Sequence, residues 1–465
     1  MNESNESQSF ARLPLNEALL ANLTSLNYDV MTPIQKLSLP NVLQGEDVIA
    51  RANTGSGKTT VFGLGILNNL NLKFFGAQAL VLCPTRELSE QIAQSLRQLA
   101  RQMPNVKIIN LSGGMPMKAQ LDSLRHGAHI IVGTPGRIQK HLDKETLILS
   151  GLNSLVLDEA DRMLDMGFLN EIRVIIKKCP KKRQTLLFSA TYPPEIKQLS
   201  HEFMQNPKEV FVEQSPIEQH IEQRFYEVNQ KDKYSILIRL LKHHQSNSSL
   251  IFCNTKQSTT ELAQLLKQEG FSAIALNGDM EQSDRDLAII QFTNQSCSIL
   301  VATDVAARGL DIKELSLVFN YELAFECDVH THRIGRTGRA GNKGIAISLV
   351  TPADAHRVCL IEDQQTQPLV WGNVVDMIPT DSAMYSPSMV TLCLDLGKKD
   401  KIRAGDIVGA LTKDMNLPNE VIGKIDVLPF KSYVAIHKSH ATIAYQSLKA
   451  GKLKGRHVNV DKYAC

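Results

Sequence analysis

Three short stretches hold residues whose types and spacing suit phosphate chemistry. In ANTGSGKTT (52–60), small residues and glycines lead into Lys58 and Thr59. Successive backbone N–H groups at a helix N-terminus cradle phosphates. Lys58 would bridge the terminal phosphates and Thr59 would hold Mg²⁺. The strict pattern has glycine where Ala52 stands, and a glycine-rich turn capping an ordinary helix is the plain alternative. A strand before, a helix after and GKT at the right spacing favour phosphate. In DEAD, Asp158 to Asp161, the first acid can hold a metal through water and Glu159 can orient an attacking water. Alone, such acids after a strand would be a solvated loop; paired with the first stretch they make a nucleotide triphosphatase site. In HRIGRTGRAG (332–341), Arg333, Arg336 and Arg339 are three apart, each followed two residues later by a glycine, Gly335, Gly338 and Gly341. Their planar forks suit phosphate oxygens, and glycine lets backbone approach closely. Spacing alone does not say which polyanion they meet.

The elements that position these residues are short apolar runs alternating with amphipathic ones. DVIA (47–50), ALVL (79–82), HIIV (129–132), SLVL (154–157) and TLLF (185–188) read as buried parallel strands. ELSEQIAQSLRQLARQ (87–102) and FLNEIRVIIKKC (168–179) read as helices between them. The breaker-rich 206–219 interrupts the alternation, which resumes with SLIF (249–252), AIAL (273–276), SILV (298–301), LVFN (317–320) and IAISLV (345–350). Strand alternating with helix predicts a parallel, doubly wound sheet, twice. From about residue 385 the texture becomes β-α-β-β-α-β, a small split βαβ domain. The expected boundaries are a leader over 1–24, sheet domains over 25–213 and 220–365, a linker over 366–384 anchored by Trp371, and a last domain over 385–465. PTREL, GTPGR, FSAT, CNT, GD and ATDVAARGLD each follow a strand, on the edge where open parallel sheets bind ligands.

The 465 residues are too many for one core, and 43% apolar with 21% charged residues fits an ordinary globular chain. Eight scattered cysteines without CxxC argue against structural zinc and a disulfide framework, and for a reducing cytoplasm. No apolar run is long enough for a membrane span, and the polar N-terminus shows no secretory signal. Residues 375–465 hold 13 Lys and Arg against 9 Asp and Glu, leaving 38 against 39 in the rest. A near-neutral body with a basic last domain points weakly to nucleic acid.

Over residues 10 to 350, the order, spacing and strand context of these motifs resemble the DEAD-box RNA helicases. That resemblance implies two RecA-like sheet domains, here followed by an α+β, RRM-like domain. It implies ATP and Mg²⁺ as cofactors. Phe10 and Gln35 would select adenine. Ala52, Asn53, Thr54, Gly55, Ser56, Gly57, Lys58 and Thr59 would bind the phosphates, with Thr59 and Asp158 on the metal. Asp311 would contact the ribose, and Ser189 and Thr191 would couple nucleotide state to RNA. Arg336 and Arg339 would be arginine fingers on the γ-phosphate, beside Lys58 and Glu159 in catalysis, making ATP the polyanion. His332 and Arg333 would serve domain contacts. Pro84, Thr85, Arg86, Gly113, Gly114, Thr134 and Arg137 would grip RNA in the first domain, and Gly278, Asp279 and Thr303 in the second. Asn277, His330 and Ser89 depart from the family's usual residues, which touches fine coupling only.

In the last domain, Tyr433 is the one strand aromatic placed to stack a base. The charge lies in GKKDKIRAG, with Lys398, Lys399, Lys401 and Arg403, and in KAGKLKGRH, with Lys449, Lys452, Lys454 and Arg456. A solvated face is as natural for such runs as an RNA surface. A bacterial branch of the family shares this C-terminal texture, and that likeness implies a hairpin of large-subunit ribosomal RNA and a role in 50S assembly on precursor particles. It implies neither a membrane nor an obligate protein partner. An ATP-gated RNA clamp, or a general RNA-stimulated ATPase, would carry the same motifs, and a DNA translocase is disfavoured by the resemblance alone.

Overall fold

The computed structural model describes residues 9–52, 56–212, 221–307, 315–338, 344–365, 368–373, 385–414 and 417–463. The chain divides into two compact units near residue 215.

The first unit is a seven-stranded parallel sheet in the order β3-β4-β2-β5-β6-β1-β7. Its strands are β1 (Val48–Arg51), β2 (Ala79–Leu82), β3 (Ile108–Leu111), β4 (Ile130–Gly133), β5 (Ser154–Leu157), β6 (Gln184–Ser189) and β7 (Lys208–Phe211). The five expected strands are the central ones. β2, β4, β5 and β6 are buried along their whole length, as a sheet covered by helices on both faces requires. The expected leader is not separate from this unit. Phe10, Leu15, Leu19 and Leu23 enter its core, and Asn22 donates through Nδ2 to the carbonyls of Gln98 (2.9 Å) and Leu99 (2.7 Å). β7 lies inside the stretch read as a break between domains; only Val210 of its four residues is buried, so it lacks an apolar run.

The second unit begins with a six-stranded parallel sheet, β10-β11-β9-β12-β13-β8. The strands are β8 (Ile221–Glu227), β9 (Ser249–Cys253), β10 (Ala273–Leu276), β11 (Ile299–Thr303), β12 (Leu317–Asn320) and β13 (Gly344–Val350). Beyond β8, Trp371 extends the sheet by one bridge. Val370 accepts from Phe225 N–H (2.9 Å), Phe225 accepts from Gly372 N–H (2.8 Å), and the Trp371 ring lies 5.8 Å from that of Phe225. The anchoring role expected for Trp371 is thus met by backbone pairing as well as by its ring.

The last domain is the antiparallel sheet β15-β16-β14-β19, from β14 (Met389–Leu394), β15 (Ile422–Val427), β16 (Ser432–His437) and β19 (Val460–Tyr463), with a hairpin of β17 (Lys452–Leu453) and β18 (Arg456–His457). Strand side chains alternate between faces. Val390, Leu392, Leu394, Val434 and Ile436 face the helices Ala404–Gly409 and Lys438–Ala450 and form the domain's own core. Cys393, Tyr433 and Tyr463 face the other way, onto Leu287 and Ile290 of the helix Gln282–Thr293. Asn294 Nδ2 (2.8 Å) and Ser296 Oγ (2.6 Å) meet Thr391 Oγ1 on the same face, and Lys424 Nζ donates to Thr293 Oγ1 (3.2 Å). The sheet face of the last domain is therefore docked on the second sheet domain. Among the described residues no helix is long and apolar enough to cross a membrane.

Candidate nucleotide and RNA sites

The nucleotide motifs lie at the carboxyl ends of neighbouring strands. Ala52 follows β1 and Asp158 follows β5, with β6 between them in the sheet. The helix Lys58–Asn68 starts at Gly57, whose φ of 94° is left-handed and suits only glycine; a Cβ there would collide with the Gln35 amide. That amide is spent on local backbone. Gln35 Oε1 accepts from Thr32 N–H (2.8 Å), Nε2 donates to the Gly57 carbonyl (3.3 Å), and Thr32 Oγ1 donates to the Ser56 carbonyl (2.8 Å). Gln35 thus ties its own loop to the phosphate loop. Phe10 is buried in the core 6.5 Å from the Tyr28 ring, so Tyr28 is the exposed aromatic of this corner. Asn53, Thr54, Gly55, Asp311 and Arg339 lie outside the described residues.

Lys58 is buried, and its Nζ donates to the Ala52 carbonyl (2.7 Å). Asp158 accepts from the Glu159 N–H (3.1 Å), and its carboxyl is pushed up to about 6, chiefly by burial, against the pull of Lys58 and with Glu159 and Asp161 adding to the rise. A buried carboxylate within reach of the Lys58 charge fits a divalent ion, whose charge would offset that burial. Among the described residues no group of three His, Cys, Asp or Glu side chains gathers, so Mg²⁺ here would take further ligands from phosphate and water, as it commonly does.

Glu159 sits at φ 53°, ψ 52°, a left-handed backbone that costs a non-glycine residue roughly 1–2 kcal/mol. Its Oε2 accepts from Arg162 Nη1 (2.8 Å), and both side chains are almost fully buried. Sequence reasoning missed Arg162; its place one helical turn from Glu159 was the available signal. Asp161 explains Ser189 and Thr191. Its Oδ2 accepts from the N–H groups of Ala190 (3.1 Å) and Thr191 (2.9 Å) and from Thr191 Oγ1 (3.0 Å), while its own N–H donates to Ser189 Oγ (3.3 Å).

The expected RNA contacts of the first unit come together around β3 and β4. Thr85 Oγ1 accepts from Leu88 N–H (3.2 Å) and caps the helix Arg86–Leu99, directly after Pro84. Arg86 lies so close to Gly113 that a Cβ there would stand within 3 Å of its Nε. Gly114 takes φ 79°. Thr134 follows β4 and is the N-cap of the helix Pro135–Asp143, which carries Arg137. Burial and the nearby Arg86 both lower the Arg137 pKa, marking a concentrated positive spot. In the second unit Thr303 ends β11, and Gly278 and Asp279 form an exposed turn after β10. Asp279 is ion-paired with Lys256, which sequence reasoning did not single out. Asn277 holds the turn, accepting from Asp279 N–H (3.1 Å) and donating to Thr260 Oγ1 (3.0 Å).

Two expectations are corrected. Arg333 does not offer its fork to a polyanion or a domain contact. It is almost wholly buried and donates to Asp304 Oδ1 and Oδ2 (2.6 and 2.7 Å), Asn254 Oδ1 (2.7 Å), the Glu322 carbonyl (2.6 Å) and Asn320 Oδ1 (3.3 Å), over the Phe252 ring. It is a hub joining the carboxyl ends of β9, β11 and β12. Arg336, two residues beyond the helix Cys327–Ile334, is also buried. Tyr433 does not present a stacking platform, because the docked helix covers its ring.

The basic runs of the last domain converge for a topological reason. Leu394 pairs with Val460, so the loop leaving β14 and the loop entering β19 share one end of the sheet. Lys454 Nζ donates to the Lys401 carbonyl (2.8 Å) and pairs with Asp406 (2.7 Å), and Arg456 pairs with Asp400 (3.0 Å). Lys399 lies 4.1 Å from the centre of the half-exposed Phe430 ring. Lys398, Lys399, Lys401, Arg403, Lys449, Lys452, Lys454 and Arg456 are all exposed.

Comparison with known proteins agrees with this division. Residues 32–199 match the DEAD/DEAH box helicase family, 232–341 the helicase conserved C-terminal domain, and 391–462 the DbpA RNA binding domain. The chain is 50% identical to the ATP-dependent RNA helicase DbpA of Escherichia coli over 94% of its own length and 96% of that protein's. It is 41% identical to the ATP-dependent RNA helicase CshA of Limosilactobacillus reuteri over 74% of the chain and 69% of the relative. The structure of S. cerevisiae Dbp5 bound to RNA and ADP BeF3 matches with a TM-score of 0.73 at 30% identity, covering 79% of this chain and 96% of that one. The chain belongs to the DEAD-box ATP-dependent RNA helicases and carries a DbpA-type RNA-binding domain.

Proposed function

We propose that this helicase separates short RNA duplexes beside a hairpin of large-subunit ribosomal RNA, in the cytoplasm, during assembly of the 50S subunit. The observation carrying the targeting is the convergence of two distant basic runs on one exposed end of the last domain. Its sheet face, the usual base-stacking surface, is already covered.

In this reading Lys58 and the backbone of 52–59 bind the ATP phosphates and Asp311 contacts the ribose, while Gln35, its amide bonded to Thr32 and Gly57, shapes the phosphate loop and Phe10 packs in the core. Thr59 and Asp158 would hold Mg²⁺, which neutralises charge on the terminal phosphates when bound. Glu159, held by Arg162, orients a water and takes its proton as the new oxygen–phosphorus bond forms; the bond between the γ-phosphorus and the bridging oxygen breaks and ADP leaves. Arg336 and Arg339 stabilise the charge that develops, an effect worth about a thousandfold or more. Ser189 and Thr191 pass the state of this site on through Asp161. Arg86, Gly113, Gly114, Thr134 and Arg137, with Gly278, Asp279 and Thr303, hold RNA phosphate and sugar. Such contacts carry no sequence information, and the 2′-OH distinguishes RNA from DNA.

The test is steady-state ATPase activity without RNA, with unstructured RNA and with a large-subunit ribosomal RNA fragment, for the wild type and for Lys398→Gln/Lys399→Gln/Arg403→Gln. The fragment should stimulate the wild type far more than unstructured RNA does, and the variant should lose that preference together with roughly two units of salt slope. Equal stimulation of the wild type by any RNA would leave a general RNA-stimulated ATPase. Charge neutralisation is cleaner here than deletion of the last domain, which would uncover Leu287 and Ile290.

A further inference from the structure

A buried glutamine in the first unit has no part in the nucleotide chemistry, yet it joins two of the elements read as RNA contacts. Gln120, on the helix Met117–Leu124, is 4% exposed. Its Nε2 donates to the Ser112 carbonyl (2.9 Å), and Ser112 immediately precedes Gly113 and Gly114. Its Oε1 accepts from Arg137 Nη1 (2.8 Å) and meets His141 Nε2 (3.0 Å). The same Nη1 donates to the Met115 carbonyl (3.0 Å), on the far side of the glycine pair.

The donor inventory leaves one arrangement. An arginine only donates and a backbone carbonyl only accepts, so the amide cannot be flipped: its oxygen must face Arg137 and its nitrogen Ser112. His141 is fully buried, and burial, Arg137 and Lys144 all lower its pKa, so it is neutral. Facing an oxygen that accepts, its proton sits on Nε2, and Nδ1 lies 2.9 Å from Thr146 Oγ1. Both lone pairs of the Gln120 oxygen are thus used, one by the guanidinium and one by the imidazole, and His141 fixes the amide from behind.

We infer that Gln120 is a positioning residue of the RNA grip: it sets the separation between the Gly113–Gly114 turn and the Arg137 guanidinium, so that one RNA strand meets both. This rests on the reading of Gly113, Gly114 and Arg137 as RNA contacts. With Gln120 replaced, Arg137 loses an anchoring acceptor and the turn loses its tie, while the nucleotide residues after β1, β5 and β6 keep all their partners.

The experiment measures ATPase activity of the full chain as a function of RNA and, separately, of ATP, for Gln120→Met, Gln120→Glu and Arg137→Ala, with thermal melting alongside. Gln120→Met, close in volume but without polar atoms, should raise the RNA concentration at half-saturation roughly tenfold, as expected for a lost buried bond to a charged group. Its KM for ATP and its kcat at saturating RNA should stay within about twofold. Gln120→Glu keeps the acceptor for Arg137 and should recover part of that loss. If Arg137→Ala weakens RNA half-saturation and both Gln120 variants behave as wild type, the inference is overturned and the reading beneath it stands. If Arg137→Ala also leaves RNA half-saturation unchanged, that reading fails and the inference with it. Equal damage to the ATP and RNA parameters in Gln120→Met would make the residue structural and overturn the inference. Should Gln120→Met not fold, Gln120→Glu decides: an RNA half-saturation between those of wild type and Arg137→Ala supports the inference, and the wild-type value overturns it.

Discussion

The nucleotide end of the first sheet and the basic end of the last domain both gather charge, by opposite means. Around β1, β5 and β6 the charged groups are buried and held by hydrogen bonds: Lys58, Asp158, Glu159, Asp161 and Arg162 are each less than a tenth exposed. At the end of β14 and β19 the lysines and arginines stand in water, some held by aspartates that are themselves partly exposed. A buried charge costs several kcal/mol unless paired, so each member of the first group is fixed by its neighbours and acts only in that geometry. Exposed pairs are worth about 0–1 kcal/mol and fade with salt, so the second group acts as a field rather than a lock. A site that must place one water against one phosphorus needs the first kind. A surface that must catch a large polyanion is served by the second.

That contrast can be broken at its strongest point. Arg162→Met strands the Glu159 carboxylate in a buried site and should cost the first unit about 3 kcal/mol, read as a lower melting transition, with turnover lost as well. Retained stability and activity would mean that the Arg162–Glu159 pair does not hold the base.

A middle-sized effect comes from pH. Burial raises the Asp158 carboxyl to about 6, so the folded protein takes up a proton there before the unfolded chain does. The ionised form therefore costs stability above about pH 6, and that cost is relieved as pH falls through 6 towards the ordinary carboxylate value. Metal-dependent ATP turnover should move the other way, declining below about pH 6, with added Mg²⁺ shifting the decline to lower pH by competing with the proton. An ATPase profile that is flat between pH 7 and 5 would remove Asp158 from the metal's ligands.

The smallest effect should appear at the basic end. Asp400→Asn with Asp406→Asn should leave the melting transition almost unmoved, yet tighten RNA binding at low salt by releasing Arg456 and Lys454. A large loss of stability there would show that these pairs are structural locks like those of the first sheet.

What was legible in the sequence follows the same line. The fully buried strands and the phosphate motifs are contiguous, so β1, β2, β4, β5 and β6 and the residues after them could be read in order. β3, β7 and β8 were missed because all three stand at an end of their sheets' strand order and none carries an uninterrupted apolar run. β3 carries Asn110, and Glu222, Arg224 and Glu227 interrupt β8, so neither shows a simple apolar run. The role of Arg333 could not be read because its partners lie 11 to 79 residues away. Tyr433 has the right type and strand for stacking, but its neighbour Ile290 comes from another domain. Gln120 and Arg162 belong to no motif used in the reading; only three-dimensional neighbours reveal them.

The docked face of the last domain also has a consequence for synthesis. Leu287 and Ile290 are made about 140 residues before Tyr433, and at roughly 5–20 residues per second their cover arrives on the order of ten seconds later. For that interval the ribosome presents a sheet domain with an apolar helix face still open. The nascent chain must be shielded there, or be slow to find a wrong partner, until its own C-terminus closes the surface.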